Sequence, residues 1–247
     1  MRIPYIGVLT YPRPSLRTAK TRIGQLRKIE VEKVIFEGRT KIGRLGLVGI
    51  GTVGLVVKVE ARGRVYALKI RRTDANRESM RREYELTRMA NMIGVGPRVE
   101  GWTRDFLLMQ YVPGIDIDDW FESVTGAGTR DRVRGFVHAV LNQCRKMDIV
   151  SLDHGQLSNL RKHVVMAGGG PTIIDFESAG LGRKPRNVTT AAQYLLVGGR
   201  VSTKVRRILG IRKLEPMLEA LGRYKRDMSD ENYALVLRLV ERRSPKL

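Results

Sequence analysis

Eight residues, Gly49-Ile50-Gly51-Thr52-Val53-Gly54-Leu55-Val56, fit the pattern G-x-G-x-x-G-x-V. Glycine carries no Cβ, so a backbone with this spacing can come close to phosphate oxygens. Two phosphate-binding arrangements use similar glycines. A dinucleotide site needs a helix directly after them and an acid about twenty residues on. Here the chain enters another strand, residues 55–59, so the glycines belong to a hairpin. Lys69 follows fifteen residues after Gly54, and strand alternation puts Ala67 and Lys69 on one face. Asp175 ends an isoleucine-rich run, Thr172-Ile173-Ile174-Asp175. A carboxylate there suits a hard cation that bridges phosphates.

In order and spacing, the motifs over residues 44–180 resemble the protein-kinase-like superfamily. They are most similar to the atypical, RIO-like predicted serine/threonine kinases of archaea. The glycine hairpin, with Gly49, Gly51, Gly54 and Val56, is then similar to the loop that covers ATP phosphates. Val65-Tyr66-Ala67-Leu68-Lys69 resembles the V-A-I-K strand, which makes Lys69 the phosphate-binding lysine and puts Ala67 beside the nucleotide. Kinases orient that lysine with a glutamate from the next helix. Glu83 is the expected partner, with Glu78 and Glu85 as competitors on other faces. Residues 107–114 resemble an inter-lobe hinge, in which Met109 takes the gatekeeper position and backbone groups of Gln110 and Val112 pair with adenine. Asp175-Phe176-Glu177 is similar to D-F-G in its D-F-E form, familiar from small-molecule phosphotransferases, so Asp175 is an expected Mg²⁺ ligand.

Residues 153–165 resemble the H-G-D-L-S/T catalytic loop and match it at His154, Gly155, Leu157 and Ser158. They depart where the chemistry is carried. Gln156 stands at the catalytic aspartate position and Arg161 at the metal-binding asparagine position. Glutamine does not accept a proton as a carboxylate does, and three readings stay open. Asp153 serves as the base, with Asn159 as second metal ligand. Or transfer rests on positioning and metal electrostatics alone. Or the chain is a pseudokinase that binds nucleotide and signals by shape. The resemblance implies ATP and Mg²⁺ as cofactors. The acceptor that the resemblance implies is a serine or threonine on a protein or on the chain itself, or else a small molecule.

The elements that position these residues follow from periodicity and punctuation. A short helix is expected over 17–28, and short strands run from Glu30. A hairpin turns at 61–63, and a helix over 76–93 has Asn76 as its N-cap. Strands near 98–102 and 106–112 precede Pro113-Gly114. Beyond it come a long helix over 130–147, two short strands, and helices near 188–198, 202–222 and 229–242. Strands first and helices second describe an α+β, two-lobed fold with a β-rich first lobe and a compact helical second one. The expected division is a basic N-terminal extension over 1–43, an N-lobe over 44–112 and a C-lobe over 113–247. From Asp175 to Asn187 there is no room for a full activation loop, and no A-P-E follows.

The chain has 247 residues and a formal charge of +21. Residues 1–44 hold +8 and residues 183–226 hold +10, while 45–182 hold only +3. Two basic flanks thus border a nearly neutral middle, and RNA or a ribonucleoprotein is an expected partner for them. No apolar run is long enough to span a membrane. The prolines at 4, 12 and 14 break any secretory h-region, and the single cysteine, Cys144, excludes an intramolecular disulfide. A cytoplasmic setting is the expectation.

Overall fold

The computed structural model describes residues 3–241, and residues 1–2 and 242–247 lie outside it. The chain divides into two units, residues 1–91 with 97–112 and residues 92–96 with 113–247. The first is built on an antiparallel sheet and the second is mainly helical, so the protein is of the mixed α+β class.

The first unit runs α1 (Ile3–Leu9), α2 (Leu16–Lys28), β1 (Val31–Ile35), β2 (Thr40–Ile42), β3 (Leu45–Leu47), β4 (Gly49–Ile50), β5 (Gly54–Ala61), β6 (Arg64–Arg71), α3 (Arg81–Met92), β7 (Val99–Trp102) and β8 (Phe106–Gln110). Its sheet has the order β1-β5-β6-β8-β7, with β4 also paired to β5. Val-rich alternation drives β5 and β6 into a hairpin, and Arg62 and Gly63 turn it with positive φ at both. One sheet face, with Leu55, Val57, Val59, Leu68, Ile70, Phe106 and Leu108, is buried against residues of α1 and α2 such as Val8, Leu9 and Leu26. The segment before residue 44 therefore contributes α1, α2 and β1 to this unit's core. Arg22, 1% exposed, reaches from α2 to Asp105 at 2.9 Å, and Arg71 meets the same carboxylate oxygen at 2.6 Å. Gln25 binds the other carboxylate oxygen at 2.7 Å.

Helix α3 starts at Arg81 and not near Asn76. The intervening backbone has other partners, since Met80 donates to the Arg104 carbonyl at 2.9 Å and the Arg77 carbonyl accepts from Arg71 at 2.9 Å. These contacts hold residues 77–80 against the end of β6 and the β7–β8 turn, and the helix begins where they end.

The second unit runs β9 (Gly114–Asp116), α4 (Ile117–Ser123), α5 (Thr129–Ile149), α6 (Leu160–His163), β10 (Val164–Ala167), β11 (Gly170–Ile173), α7 (Asn187–Ala192), α8 (Arg200–Leu209), α9 (Glu215–Arg226) and α10 (Asp230–Glu241). A three-stranded sheet, β11-β10-β9, packs beside the helices. Asp116 caps α4 by accepting from the backbone of Asp118 and Asp119. Helix α5 buries Val133, Phe136, Val137, Val140, Leu141, Cys144 and Met147, the three-to-four spacing of a core-facing stripe. The single helix expected over 202–222 is two helices, because Gly210 turns left-handed at φ 76° and closes α8. One π-helical turn, Gln193–Val197, follows α7. Helix α10 occupies the stretch expected over 229–242 as far as Glu241, and residue 242 lies outside the described residues. Among the described residues no helix is long and apolar enough to cross a membrane.

Candidate functional site

In the first unit the register decides which side chains share a face. Val56 pairs with Lys69 across β5 and β6, and Ala67 pairs with Met109 across β6 and β8. Directly paired residues lie on the same side, and so do residues two apart. Gly54, Val56, Ala67, Lys69 and Met109 therefore line one face, opposite the core that α1 and α2 cover. Helix α3 presents Glu83 there. The Lys69 ammonium lies 2.7 Å from a Glu83 carboxylate oxygen, and the two side chains are 6% and 3% exposed. Of the three glutamates weighed from the sequence, Glu83 makes this contact. Glu85 is exposed and pairs with Arg81, and Glu78 precedes the helix.

The glycine hairpin is closed by Gly51 N–H donating to the Gly54 carbonyl at 2.7 Å. A Cβ on Gly54 would sit 2.9 Å from the Ile70 carbonyl oxygen and 3.1 Å from Lys69 Cγ. The lysine stem thus lies over this glycine, and no larger residue leaves it room. Gly49 has open space around it. Arg72 braces the turn by donating to the Gly51 carbonyl at 3.3 Å, pairs with Asp74 and stacks over Tyr11. The Gln110 N–H is spent on the Arg98 carbonyl at 2.7 Å, and Val112 follows β8 half-buried.

In the second unit the loop before α6 is held from below. Asn187, at the start of α7, accepts from the His154 N–H at 2.9 Å and donates to the Leu152 carbonyl at 2.7 Å and to Asp148 at 2.8 Å. Asp148 also accepts from the backbone of Asn187 and Val188 and from the Tyr224 hydroxyl at 2.9 Å. Burial still pushes its carboxyl above the ordinary range, against those four donors. His154 is fully buried, and its Nε2 lies 3.1 Å from the Ile174 carbonyl. Burial lowers its pKa to about 4, so the ring is neutral and donates there. Ile174 N–H donates to the His163 carbonyl at 2.9 Å, and Phe176 packs on the His154 ring. The backbone on both sides of Asp175 is therefore pinned, and Asp175 itself is left-handed at φ 70°. A non-glycine residue held so costs of order 1–3 kcal/mol, a strain that clusters at functional positions.

Asp153 is buried. Its carboxylate is paired with Arg183 and accepts from the Arg186 N–H at 3.2 Å. Gly155, at φ 85°, lets Arg183 pass, since a Cβ there would strike its guanidinium. Gln156 and Asn159 share one 3₁₀ turn, in which the Asn159 N–H donates to the Gln156 carbonyl at 3.2 Å. The Gln156 side-chain oxygen is buried and has no hydrogen-bond partner among the described residues.

Sequence reasoning singled out neither Asn187 nor Arg183 nor Asp148. All three act through contacts more than 28 residues apart in sequence, such as Arg183 with Asp153 and Asn187 with His154. No periodicity marks such pairs. A cavity of about 530 Å³ elsewhere in this unit, between Trp120, Phe136, Gln143 and Met166, contains none of the residues singled out. Among the described residues there is no cluster of three or more His, Cys, Asp or Glu that could hold a metal by itself. Mg²⁺ commonly takes one or two protein ligands and completes its shell with phosphate oxygens and water. Asp175 and Asn159 supply oxygen donors of that kind.

No protein-family profile and no curated protein matches the chain. Among solved structures it is similar to the Rio2 kinase–ADP/Mg²⁺–phosphoaspartate complex from Chaetomium thermophilum, at 15% identity and a TM-score of 0.49. The match covers 94% of this chain and 76% of that one.

Proposed function

We propose that the protein is an ATP–Mg²⁺-dependent phosphotransferase, of the atypical serine/threonine protein-kinase type. The observation that carries this is the buried Lys69–Glu83 pair at 2.7 Å, on the same sheet face as Gly54, Val56, Ala67 and Met109. Enclosing an ammonium and a carboxylate together is costly and is a weak route to stability. A lysine so fixed is well suited to hold the phosphates of a nucleotide. In this reading the backbone of Gly49, Gly51 and Gly54 approaches the phosphates, and Met109, Gln110 and Val112 border the adenine. Asp175 and Asn159 hold Mg²⁺. When bound, Mg²⁺ neutralises charge on the phosphate oxygens.

The acceptor hydroxyl oxygen forms the new bond to the γ-phosphorus as the bond to the β-γ bridging oxygen breaks, and ADP leaves. The hydroxyl proton goes to the transferred phosphoryl group or to water. In this reading Gln156 lies beside the accepting hydroxyl and does not take its proton; its side-chain oxygen, buried in this structure, would turn outward to accept from the hydroxyl. Asp153, engaged by Arg183 and Arg186, is suited to holding the loop's shape rather than to acting as a base. Catalysis of this kind leans on position and charge, which phosphoryl transfer tolerates well.

A second reading is a nucleotide-binding pseudokinase that docks on RNA or a ribonucleoprotein. Gln156 favours it, as do exposed cations such as Arg200, Arg207, Arg212 and Lys213. Transfer of label from [γ-³²P]ATP, to protein acceptors or to the chain, separates the two. The kinase reading expects incorporation that Lys69→Ala and Asp175→Ala both abolish. No transfer by the wild type, or transfer that survives both substitutions, overturns it. A panel of sugars, aminoglycosides and choline, followed by ADP release, tests small-molecule acceptors. Steep loss of RNA affinity with salt, without transfer, supports the second reading.

A further inference from the structure

The second unit has a cavity of about 420 Å³ beside the 3₁₀ turn that carries Gln156. Ser158, Arg186, Thr189, Thr190, Gln193 and Lys225 line it, with Gly198 and Tyr194 completing the wall. The lining is rich in hydrogen-bond donors and contains no carboxylate. Neither Arg186 nor Lys225 has an acidic partner among the described residues. The nearby acids are committed elsewhere: Asp153 to Arg183, Asp118 to Arg161, and Asp227 to Asn232. The Arg186 backbone is fixed at both ends, by its N–H to Asp153 and by its carbonyl, which accepts from the Thr189 hydroxyl at 3.1 Å. The guanidinium is therefore carried on a rigid base while its own donors remain unspent.

A second, independent feature shapes the same wall. The π-helical turn at Gln193–Val197 is closed by Gly198 N–H donating to the Gln193 carbonyl at 2.9 Å. Such turns recur at functional positions because they insert one residue into a helix and re-aim its neighbours. A Cβ on Gly198 would lie 3.0 Å from the Gln193 side-chain nitrogen, so the glycine leaves space for that amide. Two cations, the Ser158 and Thr190 hydroxyls and the Gln193 amide then line one open cavity. That is a donor set for a tetrahedral, acceptor-rich dianion more than for a planar carboxylate.

We infer that this cavity recognises a phosphoryl group on an already phosphorylated serine or threonine of the protein acceptor. The inference rests on the kinase reading for the word acceptor, because Ser158 lies two residues from Gln156, where that reading places the accepting hydroxyl. With Tyr194, half-buried, as the one aromatic residue in its lining, this open cavity does not offer the run of stacking platforms that single-stranded RNA uses.

The test uses the full chain without nucleotide and N-acetyl-phosphoserine amide as probe, followed by ³¹P NMR, with N-acetyl-glutamate amide and tRNA as comparators. Saturable phosphoserine binding is expected, weakened roughly tenfold or more by Arg186→Gln and by Lys225→Gln. Circular dichroism confirms that each variant is folded. Absent binding, binding indifferent to both substitutions, or equal binding of the glutamate probe overturns the inference. So does tRNA that displaces the probe and loses affinity in the same variants. In the transfer assay, a phosphopeptide pool is expected to accept label faster than the same pool treated with phosphatase, and Arg186→Gln removes the gain. Phosphoserine binding in a protein that never transfers label refutes the kinase reading and the acceptor role while leaving a phosphate site. Transfer that runs equally fast on the phosphopeptides and on their phosphatase-treated forms refutes this inference alone.

Discussion

Acidification tests the buried His154 most directly. The ring has an ordinary pKa of 6.5 and a folded value of about 4, lowered by burial first and then by the nearby His163. A lowered folded value means that the unfolded chain binds the proton more readily. The stability that depends on a neutral ring is thus complete above pH 6.5 and is lost as the pH falls towards 4. Going from pH 7.5 to 4.5 should cost about 2.5 kcal/mol from this residue alone. Burial also lowers the pKa of His163 and His138, which adds loss of the same sign, while the raised carboxyl of Asp148 opposes it. The comparison that isolates His154 is with His154→Gln, whose amide can still donate to the Ile174 carbonyl but does not titrate. Trp120 stacks on Phe136 inside the second unit, so a Trp102→Phe background leaves one tryptophan as a local reporter. Urea melts followed by its fluorescence, at both pH values, give the four stabilities needed. The wild type should lose about 2.5 kcal/mol more than the variant. Equal losses would mean that His154 is not held neutral by burial, and the account of how the Asp175 backbone is pinned would fall with it.

Two further substitutions probe the first unit. Asp105→Ala leaves Arg22 and Arg71 without their shared carboxylate and should lower stability by about 3–5 kcal/mol, read from chemical denaturation. A loss below about 1 kcal/mol would show that the cluster does not hold α2 to the sheet. Gly54→Ala forces a methyl group against the Ile70 carbonyl and the Lys69 stem. It should cost about 1–3 kcal/mol and weaken binding of a fluorescent ATP analogue, while Gly49→Ala, with open space around it, stays within about 0.5 kcal/mol of wild-type stability. Matching behaviour of the two alanines would remove the argument that Gly54 makes room for Lys69.

How much of the fold and the site is legible in the sequence depends on range. The β5–β6 hairpin and the shared face of Ala67 and Lys69 follow from alternation within a few residues. Helix α5 follows from a stripe that repeats every three to four residues. Asn76 has the chemistry of an N-cap, yet α3 begins at Arg81, because carbonyl Arg104 and side chain Arg71 claim the intervening backbone. Local preference amounts to a fraction of a kcal/mol per residue and yields to such partners. Gly210 is a recognisable helix stop inside the pattern over 202–222, but its left-handed turn decides the break.

The sequence by itself determined the order of chemical groups along the chain: the glycine hairpin, Lys69, the loop with Gln156 in place of an acid, and Asp175. It also determined that the charge of +21 sits mostly in the flanks. Tertiary structure alone decided which of three glutamates meets Lys69 and that Asp153 is taken by Arg183. It likewise decided that Asn187 holds the 152–154 backbone and that Arg186 and Lys225 face one cavity. The reason is physical. Types and periods along a chain fix what a residue can do and which way it points. Its partner is set by where distant elements pack, and a charged or polar side chain brought into the interior has to take a partner from whichever element lies there.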